Sequence, residues 1–270
     1  MKPDSMKPGP TPHTALITGA SAGLGAEFAR QLAAQGLNLV LVARREARLQ
    51  DLAAQLHRAH GIHVECITVD LTDPDAPRRI SEHVQALGLT IDYLINNAGS
   101  AGPDFITERD WNRQRAYFEL MLLSCAALCH AFIPGMLAQG YGRILNVSSM
   151  AARIPRAGDS SYGPLKAYLV ALSEGLNATY KARGIHVTAL CPGFTHTEFH
   201  ATADLAAMKK ATPGFIWYDA EVVVREGLRA LEKGRAVYAS GRLYRWADPF
   251  LQSVWLRPLF SFSRGRAKKN

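Results

Sequence analysis

The chain has 270 residues, 48% of them hydrophobic, which is enough for one large core in a single domain. Its net charge of +8 is uneven: residues 240–270 hold seven Lys/Arg and one acid, so the rest is near neutral and gives no electrostatic ground for nucleic-acid binding. Four cysteines in apolar stretches (Cys66, Cys125, Cys129, Cys191) argue against a disulfide framework, residues 1–13 lack the apolar segment of a secretory leader, and the longest apolar run, 120–133, is too short to span a bilayer, so we expect a cytoplasmic protein.

Residues 1–13 contain four prolines and are expected to be disordered. A short buried strand at 14–18 runs into Gly19-Ala-Ser-Ala-Gly-Leu-Gly25, and a helix follows with Phe28, Leu32 and Ala33 inward, closed at Gly36. A strand at 37–42 completes a βαβ unit. The alternation continues with a helix at 45–59, a strand at 62–69, a helix starting at Thr72-Asp73-Pro74 and a strand at 91–95. Then come a long helix at 113–138, a strand at 143–147, a helix at 161–183, a strand at 185–190, a helix at 219–233 and a strand at 236–239. This alternation predicts an α/β fold, a Rossmann-type doubly wound parallel sheet. Residues 14–239 form the expected dinucleotide-binding catalytic domain, followed by a basic, aromatic extension at 240–270.

The glycine-rich turn is the first candidate site. Gly19, Gly23 and Gly25, with Ser21 and Leu24 between them, lie between a strand and a helix. Small residues there let backbone approach a pyrophosphate, and the helix N-terminus offers free N–H groups. The same residues also fit G-x-S-x-G, the nucleophile elbow of α/β-hydrolases, with Ser21 as nucleophile. That reading is disfavoured because only one strand precedes the turn and the late histidines, His196 and His200, have no partner acid well placed near a strand end. After the second strand comes Val42-Ala43-Arg44-Arg45, with no carboxylate for a ribose 2′-hydroxyl and two guanidiniums for a 2′-phosphate. The expected cofactor is NADP(H), gripped by Arg44.

Tyr162 and Lys166 are four residues apart, so on a helix they share a face. A neighbouring ammonium would lower the phenol pKa, ordinarily about 10, toward the working range of an acid–base catalyst. Ser149 follows the apolar run 143–147 and would present its hydroxyl at a strand end. Cys125 and Cys129 have helical spacing beside His130, which reads as a packed helix face rather than a metal site.

Together these motifs resemble the classical short-chain dehydrogenase/reductase family: residues 18–25, Asp70-Leu71, Asn96-Asn-Ala-Gly99, Asn146-Val-Ser-Ser149, Tyr162-x-x-x-Lys166 and residues 191–197. The resemblance covers about 14–235. It implies about seven strands and hydride transfer between NADP(H) and a small-molecule carbonyl or alcohol. It further implies Tyr162 as general acid/base, Lys166 as its activator and ribose ligand, and Ser149 on the substrate oxygen. Asp70 would meet adenine, Asn97, Ala98 and Gly99 the adenosine ribose, and Pro192, Gly193, Thr195 and Thr197 the nicotinamide carboxamide. A homodimer or homotetramer is expected.

One position departs from the family pattern. Where relatives carry an Asn that helps hold a water beside the Lys, this chain has Met121. This leaves an NADP(H)-binding sensor with impaired chemistry as a second reading. Phe199, Leu205, Met208, Phe215 and Trp217 suggest an apolar substrate. In the extension, Leu243, Trp246, Phe250 and Val254 recur at helical spacing. They predict a helix packed on the body or on a second subunit, or alternatively one attached to an anionic membrane.

Overall fold

The structure is a computed structural model and describes residues 12–154, 158–196 and 213–253. Seven parallel strands run in the order β3-β2-β1-β4-β5-β6-β9. They are β1 (Thr14–Thr18), β2 (Asn38–Ala43), β3 (Val64–Thr68), β4 (Tyr93–Asn96), β5 (Gly142–Val147), β6 (Ile185–Cys191) and β9 (Val237–Ala239). Such strands are covered on both faces, which is why they read as nearly continuous apolar runs rather than alternating ones. On one face α1 (Gly23–Ala33), α2 (Glu46–His60) and α7 (Ala220–Glu232) bury Phe28, Leu32, Leu49 and Leu231. On the other, α3 (Ala76–Ala86), α5 (Ser124–Gln139) and α6 (Tyr162–Tyr180) bury Ile80, Leu128 and Leu169. Strand order reverses between β1 and β4, and the crevice at the carboxyl ends there is where open α/β sheets bind ligands.

Four local features depart from expectation. First, α3 starts at Ala76, not at the Thr72-Asp73-Pro74 cap. The Asp73 carboxylate accepts from the Asp75 amide at 2.9 Å and holds a turn, while Pro77 takes the first-turn position. Second, α4 (Trp111–Phe118) joins α5 through a π-helical segment, Glu119–Leu123, that contains Met121. The resulting helix, Trp111–Gln139, is long and apolar enough to cross a membrane by length and composition, which the 120–133 run did not indicate. Its inner face, including Cys129, Ile133 and Met136, is buried against the sheet, as in the core helix of a globular domain.

Third, β7 (Phe194–His196) and β8 (Trp217–Asp219) pair in a small parallel sheet outside the main one. Trp217 is buried there, its ring 5.0 Å from Phe194 and 5.3 Å from His196. Phe199, Leu205, Met208, the Phe215 side chain and Val254 lie outside the described residues. Fourth, α8 (Arg242–Gln252) packs on the body, one of the expected placements, but by a different face from the one its apolar spacing marks. Its inward face is Tyr244, Ala247 and Leu251, while Leu243, Trp246 and Phe250 stay exposed.

Candidate active site

The cleft, about 1070 Å³ in volume, runs along the carboxyl ends of the strands. It reaches from Arg44 and Asp70 past the glycine-rich turn to Ser149, Tyr162 and Tyr244. At its floor, Thr18 and Asn97 tie the turn to the end of β4. The amides of Asn97 and Ala98 both donate to the Thr18 hydroxyl at 3.0 Å. The Asn97 side-chain amide donates to the Thr18 carbonyl at 2.9 Å. Asn97 is thus a brace for the turn, and its NH₂ group is committed to backbone rather than to a ribose.

Two glycines are required by contact. Gly19 has φ +66°, and a Cβ there would stand 2.9 Å from the Ala98 Cα. A Cβ on Gly25 would stand 2.2 Å from the Gly19 carbonyl oxygen. Any side chain would drive α1 away from the turn, so the bare backbone and the α1 N-terminus remain open to the cleft. These features fit a dinucleotide pyrophosphate. Leu24 and Leu71 line the same part of the cleft.

At the adenosine end, the two arginines take different places. Arg44 lies 3.5 Å from the Asp70 carboxylate, and both are exposed. Burial alone would push Asp70 up, but the Thr72 amide and hydroxyl together with Arg44 outweigh it and hold the carboxyl below its ordinary value. Arg45 instead points into the turn and donates to the Ser21 hydroxyl from Nε at 3.2 Å and Nη2 at 3.0 Å. A guanidinium cannot serve as a general base, so Ser21 has the wrong neighbour for a hydrolase nucleophile.

At the other end, α6 is fixed on β5 by three polar contacts. The Ser148 hydroxyl donates to the Lys166 carbonyl at 2.8 Å, the Asn146 amide to the Ser173 hydroxyl at 2.9 Å, and the Lys166 ammonium to the Val147 carbonyl at 2.7 Å. This clamp sets Tyr162 against Ser149, whose hydroxyl hydrogen-bonds to the phenol. Ser149 also accepts from the Ala151 amide at 3.1 Å, which fixes its orientation. Lys166 is fully enclosed, with its Nζ 5.7 Å from the centre of the Tyr162 ring.

The electrostatics differ from the sequence expectation. Burial pushes Tyr162 up to about 12, with the Ser149 hydrogen bond opposing and the Asp159 carboxylate adding to the rise. Burial also lowers Lys166 to about 8. The phenol is therefore held protonated at neutral pH, with a proton to donate. The ammonium expected to lower the Tyr162 pKa is itself weakened by enclosure.

Several cleft residues carry no sequence signal of their own. Asp159 accepts from the Gly163 amide at 2.9 Å, holding the first turn of α6 beside Tyr162. Outside the cleft lining, Tyr117 is buried and donates to the Ser100 carbonyl at 3.3 Å. Tyr244 donates to the Ile216 carbonyl at 3.0 Å and fills the space a Gly193 side chain would occupy. Pro192 accepts from the Met150 amide at 2.9 Å, and the buried Thr195 hydroxyl donates to the Gly193 carbonyl at 3.2 Å. Gly99 faces the Met121 sulfur and Lys166 Nζ. Thr197 lies outside the described residues. Cys125 and Cys129 turn inward onto Asn146, at 3.3 and 3.9 Å.

The short chain dehydrogenase sequence profile matches residues 13–207, most of the chain. The chain belongs to this family. Among similar proteins of this dehydrogenase family is the 17-beta-hydroxysteroid dehydrogenase type 3 of Danio rerio. It is 31% identical over 231 residues, 84% of this chain and 72% of the relative. A short-chain dehydrogenase from Sphingobium yanoikuyae, solved in complex with NADPH, superposes with a TM-score of 0.79 at 31% identity, covering 94% of this chain and 98% of that one. The bulky-bulky ketone specific alcohol dehydrogenase of Comamonas testosteroni gives a TM-score of 0.75 at 27% identity, covering 94% and 96%. This short-chain dehydrogenase is therefore an oxidoreductase: a bound nicotinamide cofactor supplies or accepts the hydride, and a small-molecule carbonyl or alcohol is the other reactant. Family membership removes the hydrolase reading and places the chain among enzymes rather than sensors.

Proposed function

We propose that this enzyme is an NADPH-dependent reductase of apolar ketones or aldehydes. The contact that carries the reading is Ser149 on Tyr162, with Tyr162 protonated and Lys166 enclosed beside it. Ser149 would hold the substrate oxygen, and Tyr162 would deliver a proton to it as charge develops there. Lys166 would supply the nearby positive charge. At the far end, Arg44 and Arg45 flank the place of a 2′-phosphate, with the Ser21 hydroxyl between the turn and Arg45. The NADPH complex of the Sphingobium neighbour supports the same cofactor. Apolar and aromatic residues in the cleft (Phe105, Met150, Ile154, Tyr244) support an apolar substrate.

Self-association as a homodimer or homotetramer, which the family resemblance implies, is checked by solution mass. The activity is tested with purified full-length protein, NADPH or NADH, and a panel of bulky ketones and aldehydes. Faster NADPH than NADH consumption, abolished by Tyr162→Phe with NADPH binding retained, is the expected result. No turnover across the panel, or equal use of both cofactors, overturns the assignment.

A further inference from the structure

The helix α8 has two faces with opposite fates. Tyr244, Ala247 and Leu251 pack inward with Met150, Val170 and Cys191. Asp248 is clamped by Arg153 through bonds of 2.8 and 2.7 Å, and Gln252 donates to the Arg153 carbonyl at 2.8 Å. These contacts fix the helix on the body whatever lies on its other side. That other side carries Leu243, Trp246 and Phe250, exposed by 42%, 75% and 47%. Their spacing puts them on one stripe, and the Trp246 and Phe250 rings lie 5.5 Å apart. A tryptophan this exposed, beside two more large apolar side chains, marks a contact surface rather than ordinary surface scatter.

We propose that this stripe docks on an anionic lipid bilayer, with Leu243, Trp246 and Phe250 entering the headgroup boundary. Charge is the first argument. Asp248, the one acid in residues 240–270, is neutralised by Arg153 on the body. Arg245 is paired with Glu226. Arg242 stands in the first turn of α8, and the sequence after the helix carries Arg257, Arg264, Arg266, Lys268 and Lys269 with no acid among them. Cations close to an anionic leaflet are drawn to its headgroups, and aromatic side chains settle at the same depth. Size is the second argument. A stable contact with a second copy needs about 800 Å² from each partner, more than three part-exposed side chains provide.

The docking face has a defined relation to the cleft. Tyr244, on the inner side of the same helix, forms part of the cleft wall. The lipid-facing stripe is thus about one helix diameter, roughly 10 Å, from the cleft. The surface assignment itself does not depend on which reaction the cleft performs.

The test is sedimentation of full-length protein with vesicles of phosphatidylcholine and phosphatidylserine at about 7:3, against phosphatidylcholine alone. Wild type should pellet with the mixed vesicles at low salt, be released by high salt, and ignore the neutral ones. Trp246→Glu and Phe250→Glu should each weaken the binding by about tenfold or more with unchanged thermal unfolding, because a charge at the buried stripe opposes insertion. Trp111→Glu, at an exposed tryptophan on α4, should bind as wild type does. Wild type remaining in the supernatant overturns the proposal, as does Trp246→Glu pelleting unchanged. Loss of solution mass on Trp246→Glu, without vesicle binding by wild type, assigns the stripe to a second copy instead.

Discussion

Arg45 donates to the Ser21 hydroxyl from both Nε and Nη2, joining the exit of β2 to the glycine-rich turn. Arg44, one residue earlier, pairs with Asp70 across the cleft edge. Arg44 is thus held toward Asp70 and Arg45 toward the turn, and a 2′-phosphate between them would be met from two directions. Arg45→Ala should raise KM for NADPH by about 10- to 100-fold, the worth of one charge-assisted hydrogen bond, with little change for NADH. Arg44→Asp should weaken NADPH further relative to NADH, since it adds a repelling charge. Steady-state KM values for both cofactors check this, and equal losses would show that neither arginine reads the phosphate.

The Tyr162–Lys166 pair gives opposite pH dependences to the two directions of reaction. With Tyr162 as the proposed acid, reduction would use its protonated form, which persists well past neutrality because burial raises its pKa to about 12. Its rate should be flat through pH 7 and fall above about pH 8 as Lys166 loses its charge. Alcohol oxidation needs the phenolate, so its kcat/KM should climb by about tenfold per pH unit from pH 6 to 8. Stability moves with the same lysine. Its folded pKa lies below its ordinary 10.5, so the unfolded chain binds more protons between about pH 8 and 10.5, and stability rises across that window. Lys166→Met should be inactive yet more stable at pH 7 by about 1 kcal/mol, the gain being reduced by the lost bond to the Val147 carbonyl. Rate profiles and urea unfolding against pH test both parts.

Most strands fell within two residues of their expected bounds, because a parallel strand buried on both faces is a local run of Val, Ile and Leu that needs no partner to be seen. The turn, Ser149, Tyr162 and Lys166 were legible for a related reason: each chemical group sits at a junction that short-range spacing marks. Most of what was illegible depended on distant contacts, and one element on a local competition. The Thr72-Asp73-Pro74 cap failed because Asp73 spends its carboxylate on Asp75. Tyr244 reaches the cleft only because α8 folds back over Gly193 and Phe194, the latter fifty residues earlier. The helical period of Leu243, Trp246 and Phe250 was visible, but the face that packs was not. That choice rests on Arg153 capturing Asp248, a pairing 95 residues long.

Asp159 offers a way to tune Tyr162 without touching it. Its carboxylate holds the Gly163 amide and adds to the upward push on Tyr162. Asp159→Asn keeps an acceptor for the amide and removes the charge. The oxidation profile should move to lower pH by about half a unit, with KM for NADPH unchanged. Asp159→Ala should shift the profile likewise but also cost about 1 kcal/mol of stability, because the first turn of α6 loses its side-chain partner. If Asp159→Asn leaves the profile in place, the carboxylate acts only as a helix anchor.

Met121 is the residue on which catalytic rate should turn. It is buried in the π segment among Tyr117 and Leu165, and its sulfur approaches Gly99 beside Lys166 Nζ. A thioether is a weak acceptor and no donor, so it gives a water at Lys166 little to hold. Ser124 lies one turn on, but its proton is committed to the Leu120 carbonyl at 2.9 Å. One proton can leave Tyr162 for the substrate oxygen; replacing it before the next turnover is the step expected to suffer. Met121→Asn places an amide in an apolar pocket, so it should lower stability by about 1–3 kcal/mol. It should nonetheless raise kcat by up to about tenfold, roughly 1.4 kcal/mol of barrier, with KM for NADPH unchanged. Met121→Leu, equally apolar and similar in volume, should leave kcat where it is. Steady-state kinetics of the three proteins on one accepted ketone, alongside thermal unfolding, separate the effects. A well-folded Met121→Asn no faster than wild type would mean that backbone of the π segment already resupplies the proton.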